Sequence, residues 1–202
     1  MKTDYTAGLG VFVKNLIPGT FKTRLAKDVG TEKAGQIYRE LLKITGRIVS
    51  SFPGTVSVFF NAQLPDKEEA HFFPTERFYI QKGNDLGEKM HHGLTHLLET
   101  HHKAILIGSD CPVLESSHLS KALRILDDCD LVLGPAEDGG YYLIGMKKPH
   151  GFLFEDIEWS SPSVLRDTMV KAQKRNLNYQ LLENLYDVDR LSDWERFKSP
   201  TN

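Results

Sequence analysis

Asp110 follows the apolar run Ile105-Leu106-Ile107 through Gly108-Ser109 and precedes Cys111-Pro112. A carboxylate on a proline-closed turn at the end of a buried strand lies where open α/β sheets bind their ligands. A metal ion or a phosphate is its expected neighbour, and the ordinary alternative is a turn aspartate that accepts backbone N–H bonds. A second group, Lys14, Lys22 and Arg24, shares the loop that runs through Pro18-Gly19 to Lys22-Thr23-Arg24-Leu25. Gly19 would let a ligand approach the backbone, while two ammonium groups and a planar guanidinium would neutralise a polyphosphate. A solvated basic loop is the competing reading.

The third group is Gly134-Pro135-Ala136-Glu137-Asp138-Gly139-Gly140-Tyr141-Tyr142, in which acids precede two glycines at a strand end. Such a loop can wrap a substrate, and Asp-Gly between apolar runs is equally a hairpin signal. The fourth is Asp187-Val188-Asp189, whose alternation puts both carboxylates on one side of an extended segment, as a divalent cation requires.

Other residues invite weaker readings. Gly19 is not followed by Lys-Ser or Lys-Thr at P-loop spacing, and Gly8-Leu9-Gly10 lacks the third glycine of a dinucleotide fingerprint. His92 and His96 are spaced i, i+4 among His91, His101 and His102, but without a zinc-protease glutamate they read as a solvated helix face. Cys111 beside Asp110 reads as a packed turn residue, because a neighbouring carboxylate disfavours the thiolate. Of Tyr141 and Tyr142, alternation assigns one to the core and one to substrate stacking. Trp159 is a stacking platform or core.

These groups need a scaffold, and the pattern supplies one. Strands are expected at Gly8–Val13, Thr55–Phe60, Glu76–Gln81, Ile105–Ile107, Asp130–Gly134, Tyr141–Gly145 and Asn178–Leu182. A helix from Thr31, its cap, to Phe52 carries Ala34, Ile37, Leu41, Ile44 and Ile48 on one face. Another, capped by Asn84, carries Leu86, Met90, Leu94, Leu97 and His101; a third opens at Ser116 with Leu119, Leu123 and Leu126 inward. A fourth starts at Ser161-Pro162 with Val164, Leu165 and Met169 buried. Residues 61–75 and 146–160 read as acceptor-side loops. The alternation predicts an α/β fold, a Rossmann-like, mostly parallel sheet with helices on both faces, in one domain spanning 1–202.

Composition excludes several classes of partner. With 25 basic and 27 acidic residues the net charge is -2, which offers no field for nucleic acid. No apolar run approaches the roughly 20 residues that span a bilayer, and the polar amino terminus lacks an apolar secretion core, so a cytoplasmic protein with no membrane partner is expected. Two cysteines, Cys111 and Cys129, are too few for a disulfide framework and read as reduced thiols. A small-molecule substrate remains; subunit count is not legible.

Together, Lys14, Pro18-Gly19, Lys22-Thr23-Arg24-Leu25, Gly108-Ser109-Asp110-Cys111-Pro112, Asp138-Gly139-Gly140-Tyr141-Tyr142 and Asp187-x-Asp189 resemble the DUF2064 family of nucleotide-diphospho-sugar transferase-like proteins, in order and over nearly the whole chain. The resemblance implies the glycosyltransferase-A fold, shared by glycosyltransferases and nucleotidylyltransferases. It also implies that Asp110 and Asp189, with Asp187 nearby, hold Mg2+ or Mn2+, that Lys14, Gly19, Lys22, Thr23 and Arg24 bind phosphates, and that Asp138, Gly139, Gly140 and Tyr141 face the substrate, Asp138 as acceptor ligand or base. Arg190-Leu191 and Leu16 depart from the family's usual Thr-Pro and Pro, and leave the carboxylates intact.

The first expectation is a metal-dependent transferase that moves a sugar from a nucleotide-sugar donor to a small acceptor. The alternatives are a nucleotidylyltransferase that joins a nucleoside triphosphate to a phosphorylated metabolite with release of pyrophosphate, and a nucleotide-binding module without catalysis.

Overall fold

The computed structural model describes residues 7–199. The ends of the expected 1–202 domain and the amino-terminal residues 1–6 lie outside them. Strands β1 (Ala7–Val13), β2 (Thr55–Phe60), β3 (Phe78–Ile80), β4 (Lys103–Ile107), β5 (Leu131–Pro135), β6 (Tyr141–Met146) and β7 (Tyr179–Leu181) form one sheet in the order β3-β2-β1-β4-β6-β5-β7. β1 pairs in parallel with β2 and β4, β2 with β3, and β5 with β7; only β6 runs antiparallel, against β4 and β5. This is the expected mostly parallel α/β sheet.

Both faces are covered. Leu9, Val11 and Val13 of β1 join one apolar cluster with Leu25 of α1 (Thr23–Val29), Ile37, Leu41 and Leu42 of α2 (Thr31–Val49), and Leu119 and Leu126 of α5 (Ser116–Asp128). On the other face Phe59, Leu106 and Leu133 pack with Met90, Leu94 and Leu97 of α4 (Leu86–Leu98), Leu153 of a 3-10 turn (Gly151–Leu153) and Ala172 of α6 (Val164–Lys174). Burial on both faces explains why the inner strands are nearly continuous apolar runs, while the edge strands β3 and β7 are half-buried or exposed. Two shorter helices, α3 (Lys67–His71) and α7 (Leu191–Lys198), complete the fold. Among the described residues no helix is long and apolar enough to cross a membrane.

Several local expectations are corrected. Gly30, with φ 82°, caps α2 in place of Thr31, and the helix ends at Val49 rather than Phe52. Residues 61–75 contain α3, opened by a capping box in which Asp66 accepts from the Glu69 amide and Glu69 reaches back to the Asp66 N–H. Asp85, not Asn84, caps α4, which stops before His101. The helix expected at Ser161-Pro162 begins at Val164, so Pro162 precedes it. The strands expected at Glu76–Gln81, Asp130–Gly134 and Asn178–Leu182 shift or shorten by one or two residues at their ends. α1 and α7 are outside the expected elements: each is about two turns long and offers the core only a short patch, Leu25, Ala26 and Val29 in α1 and the half-buried Leu191 and Trp194 in α7.

Strand order locates the site. β1 is flanked by β2 on one side and β4 on the other, the point where the sheet changes winding direction, and ligands bind in the crevice outside such a point. Lys14 follows β1, Asn61 follows β2, Gln81 follows β3 and Asp110 lies just beyond β4. Because β5 and β7 run with β4 and β6 runs against it, the 136–140 turn, Tyr141 and the Asp187–Asp189 segment reach the same edge.

Candidate active site

Backbone bonds draw the Asp187–Asp189 segment against Asp110. Past β7 the chain continues beside β5, with Leu185 N–H donating to Pro135 O and Val188 N–H donating to Asp110 O at 2.9 Å. The Val188 side chain is fully buried, which turns its two neighbours outward. The carboxylates of Asp110 and Asp189, 79 positions apart in the chain, therefore meet on one cation. Lys22 Nζ lies 3.0 Å from Asp110 Oδ2 and 3.5 Å from Asp189 Oδ1, and donates to Val188 O at 2.6 Å. Its side chain is only 4% exposed. Arg24 Nη1 completes the cluster at 3.1 Å from Asp189 Oδ2.

Lys22 reaches this position from a left-handed backbone conformation, φ 47° and ψ 43°, directly before α1. A non-glycine residue is held there only by its surroundings. Asp187 faces the same cavity, and burial, followed by the charge of Asp110, pushes its carboxyl up to about 7 against the opposing pull of Lys22. The turn-aspartate reading of Asp110 gives way to an ion pair with Lys22.

The 136–140 turn is a hairpin and a cavity wall at once. β5 and β6 pair antiparallel, and Ala136 N–H donates to Gly140 O at 3.0 Å. Gly139 has φ 89°, and a Cβ there would lie 2.2 Å from Pro162 O, so this close approach requires glycine. Asp138 Oδ1 accepts from the Gly140 amide at 2.9 Å and remains exposed.

Two abutting cavities occupy the edge. One, of about 400 Å³, is lined by the Lys22 cluster together with Thr23, Asp138, Gly140, Trp159 and Ser161. The other, of about 370 Å³, is lined by Phe12, Tyr38, Asn61, Gln81, Lys89 and Ser109 among others. Lys14, Leu86, Met90, Asp110 and Tyr141 border both. Of the expected site residues, Lys14, Lys22, Thr23, Arg24, Asp110, Asp138, Gly140, Tyr141, Asp187 and Asp189 come together here, and Gly139 shapes the wall. Gly19 does not: it turns the chain at φ 84° in an exposed stretch outside either lining.

The expected division of the tyrosine pair is not clean: Tyr142 packs in the core and donates to Glu183 O at 3.1 Å but also borders the second cavity, while Tyr141 borders both cavities and packs against the other apolar cluster. Trp159 lines the first cavity and stacks on Phe154 with ring centroids 6.4 Å apart. Burial, then the charge of Asp187, pushes the Cys111 thiol up, which agrees with a packed residue rather than a nucleophile. His92 bonds the Lys82 carbonyl, and among the described residues no three carboxylate, imidazole or thiolate groups converge tightly enough to hold a metal ion unaided.

A buried polar knot was not foreseen. Asn15 Nδ2 donates to both Glu69 carboxylate oxygens and to Gln63 O, its Oδ1 accepts from the Ala62 and Gln63 amides, and its own amide donates to Asn61 Oδ1 at 2.7 Å. Glu69 also accepts from Leu16 N–H at 2.6 Å. Tyr38 clamps the neighbouring Lys14, accepting from its amide at 2.9 Å, with its hydroxyl 3.2 Å from Ser109 Oγ. The Asp66-x-x-Glu69 spacing was the one readable trace of this knot.

The profile of the DUF2064 family, described as an uncharacterized protein conserved in bacteria, matches residues 45–161. A 2-phospho-L-lactate guanylyltransferase of Methanocaldococcus jannaschii is 25% identical over 191 residues, 89% of this chain and 79% of that protein. A crystal structure from Desulfovibrio desulfuricans G20, provisionally described as a nucleotide-diphospho-sugar transferase, superposes with a TM-score of 0.89 at 32% identity, over 95% of this chain and 86% of that one. A Mycobacterium tuberculosis H37Rv protein solved with manganese shares the fold alone, with a TM-score of 0.59 at 12% identity over 96% of this chain and 99% of that one. The matched stretch runs from α2 through β2, β4 and β6 and includes Asp110 and Asp138, and by this profile over more than half of its length the chain belongs to the DUF2064 family.

Proposed function

We propose that this protein is a nucleotidyltransferase that joins a nucleoside triphosphate to a phosphorylated small molecule and releases pyrophosphate. One observation carries the reading: two carboxylates and two cations interlock at the carboxyl edge of the sheet in the wall of one cavity, and Asp110 of that cluster also borders the second, abutting cavity. A triphosphate needs both signs, cations to neutralise its oxygens and carboxylates to hold its accompanying divalent ion. The kinship with a guanylyltransferase over most of the chain favours nucleotidyl over sugar transfer. The sugar-donor reading becomes the second possibility, and the intact carboxylates count against a non-catalytic module.

The donor set suits Mg2+ or Mn2+. Asp110, Asp187 and Asp189 offer hard oxygens, and the Lys22 ammonium already sits between two of them as a stand-in cation. Mg2+ commonly takes only one or two carboxylates and completes its shell with substrate phosphates and water, so a preformed three-ligand cage is unnecessary. When bound, the ion would offset charge on the leaving pyrophosphate. Lys14, Lys22 and Arg24 would neutralise the remaining phosphate oxygens.

An acceptor phosphate oxygen attacks the α-phosphorus, a new P–O bond forms, and the α–β bridge breaks with its electrons on pyrophosphate. A phosphate monoester is already mostly dianionic near pH 7, so it needs no general base. Asp138, which holds the Gly140 amide, then positions the acceptor rather than removing a proton. Two reduced thiols and a triphosphate donor fit a cytoplasmic setting.

Product analysis tests the reading. Purified protein incubated with Mn2+, each nucleoside triphosphate and a panel of phosphorylated metabolites should release pyrophosphate for at least one pairing. Release of nucleoside diphosphate from nucleotide sugars, without pyrophosphate from any triphosphate, would instead establish sugar transfer.

A further inference from the structure

We infer that Lys22 is the internal counter-cation of the site: its ammonium holds Asp110 and Asp189 where a divalent ion would sit, and leaves them only when a polyphosphate draws it away. The inference rests on the metal-dependent reading above. The ammonium donates to the Val188 carbonyl and to Asp189 Oδ1, and it is ion-paired with Asp110 Oδ2 at 3.0 Å, so its charge is balanced within the site. Moving that ammonium onto a phosphate therefore gives up its pairing with the two carboxylates.

A divalent ion entering alone would meet a buried positive charge lodged between the same two carboxylates, with Arg24 on the outer oxygen of Asp189. Like charges at such distances in a partly dry site repel strongly. A polyphosphate entering alone would pull Lys22 and Arg24 away and lie beside uncompensated carboxylates. Each ligand thus removes the obstacle to the other, and linkage requires the enhancement to be equal in both directions. The left-handed backbone of Lys22, just ahead of α1, places the exchanged side chain on a strained joint rather than inside a rigid element.

The test is Mn2+ binding to the whole, nucleotide-free protein, followed by the paramagnetic resonance of free Mn2+. Lys22→Met is expected to bind Mn2+ about tenfold more tightly than wild type, within the usual span of site-to-site coupling. Arg24→Gln, on an exposed side chain that folding does not require, should give a smaller gain in the same direction. Lys27→Met, on α1 and outside both cavities, removes the same charge and should change nothing. Inorganic tripolyphosphate should tighten Mn2+ binding to wild type beyond its own complexation of the ion, and much less so in Lys22→Met.

Equal or weaker Mn2+ affinity in both Lys22→Met and Arg24→Gln, with normal Mn2+ binding to wild type in the presence of tripolyphosphate, would overturn this inference alone. An equal gain in Lys27→Met would overturn it as well, reducing it to bulk charge. No Mn2+ binding to any form, with or without tripolyphosphate, would remove the metal-dependent reading and this inference with it.

Discussion

Two buried charged groups anchor the same loop, Glu69 near its start and Lys22 at its end, and they are satisfied in opposite ways. Glu69 accepts from neutral donors only, the Asn15 amide group and the Leu16 N–H of the loop and the Asp66 N–H at the start of its own helix. Lys22 bonds two carboxylates and one carbonyl, and a further carboxylate, Asp187, faces the same cavity. A closed network of neutral donors around one charge has no reason to rearrange, and it rigidifies what it holds. An ionic cluster with more acids than cations has spare capacity for a cation from outside. The first fixes where the loop starts; the second leaves its end free to change partners.

The largest effect should come from breaking the closed network. Glu69→Ala leaves the Leu16 and Asp66 N–H groups unpaired and the Asn15 amide with Gln63 O alone, and with about 1–3 kcal/mol for each group left unpaired the total should reach about 2–6 kcal/mol, read as a lower urea midpoint at unchanged slope. Glu69→Gln keeps one acceptor oxygen and should lose less. A change below about 1 kcal/mol for the alanine variant would mean that the knot is not what holds the loop.

Asp110→Asn should show the converse. The carboxylate is partly exposed and its loss leaves Lys22 bonded to Asp189 and Val188, so stability should move by less than about 1 kcal/mol. The transfer rate should fall roughly a hundredfold, equivalent to about 3 kcal/mol of transition-state stabilisation. A variant with full activity would remove Asp110 from the chemistry; one that unfolds would make the cluster as structural as Glu69.

A third test reaches the knot from behind. Gly46 of α2 lies so close to the turn after α3 that a Cβ would come 1.8 Å from the Phe72 carbonyl oxygen, a backbone atom with little room to move. Gly46→Ala should cost about 1–3 kcal/mol by forcing the two helices apart. Because α3 carries Glu69, the Leu16 amide should exchange its hydrogen faster in this variant. Unchanged Leu16 protection would show that the knot is stable independently of the α2–α3 contact.

The same contrast explains how much could be read from the chain. Strands such as Thr55–Phe60 announce themselves because both faces are buried and the residues are apolar and β-branched, and the ends of these runs located Lys14, Asp110 and the 136–140 turn. α2 shows the matching helical stripe. α1 and α7 are too short for a periodic stripe to stand out, with two or three core-facing residues each. Asn15 leaves no trace for another reason: a buried polar side chain is specified by partners about fifty positions away, and beyond the Asp66-x-x-Glu69 spacing nothing local marks the pair as buried. Asp110 and Asp189 were paired by family resemblance, whereas the ammonium between them could not be inferred, because Lys22 reads like any lysine of a basic loop until the fold turns it inward.

Arg24 gives the mildest separation of the two kinds of anchor. Its guanidinium is 59% exposed and meets Asp189 in solvent, where such pairs are screened and contribute little, so Arg24→Gln should leave stability within about 0.5 kcal/mol of wild type. Its effect should appear in binding: a lost charge-assisted contact to a phosphate raises the KM for the triphosphate about tenfold while kcat changes less, about 1.4 kcal/mol on binding. Arg24→Lys should recover only part of this, because a single ammonium cannot make the paired bonds of a planar fork. Salt discriminates further, since a steering charge on an open rim loses its influence as ionic strength rises. The wild-type advantage should therefore shrink at high salt, whereas an advantage that persists would place Arg24 in a desolvated contact, shielded from solvent ions in the way that Lys22 is.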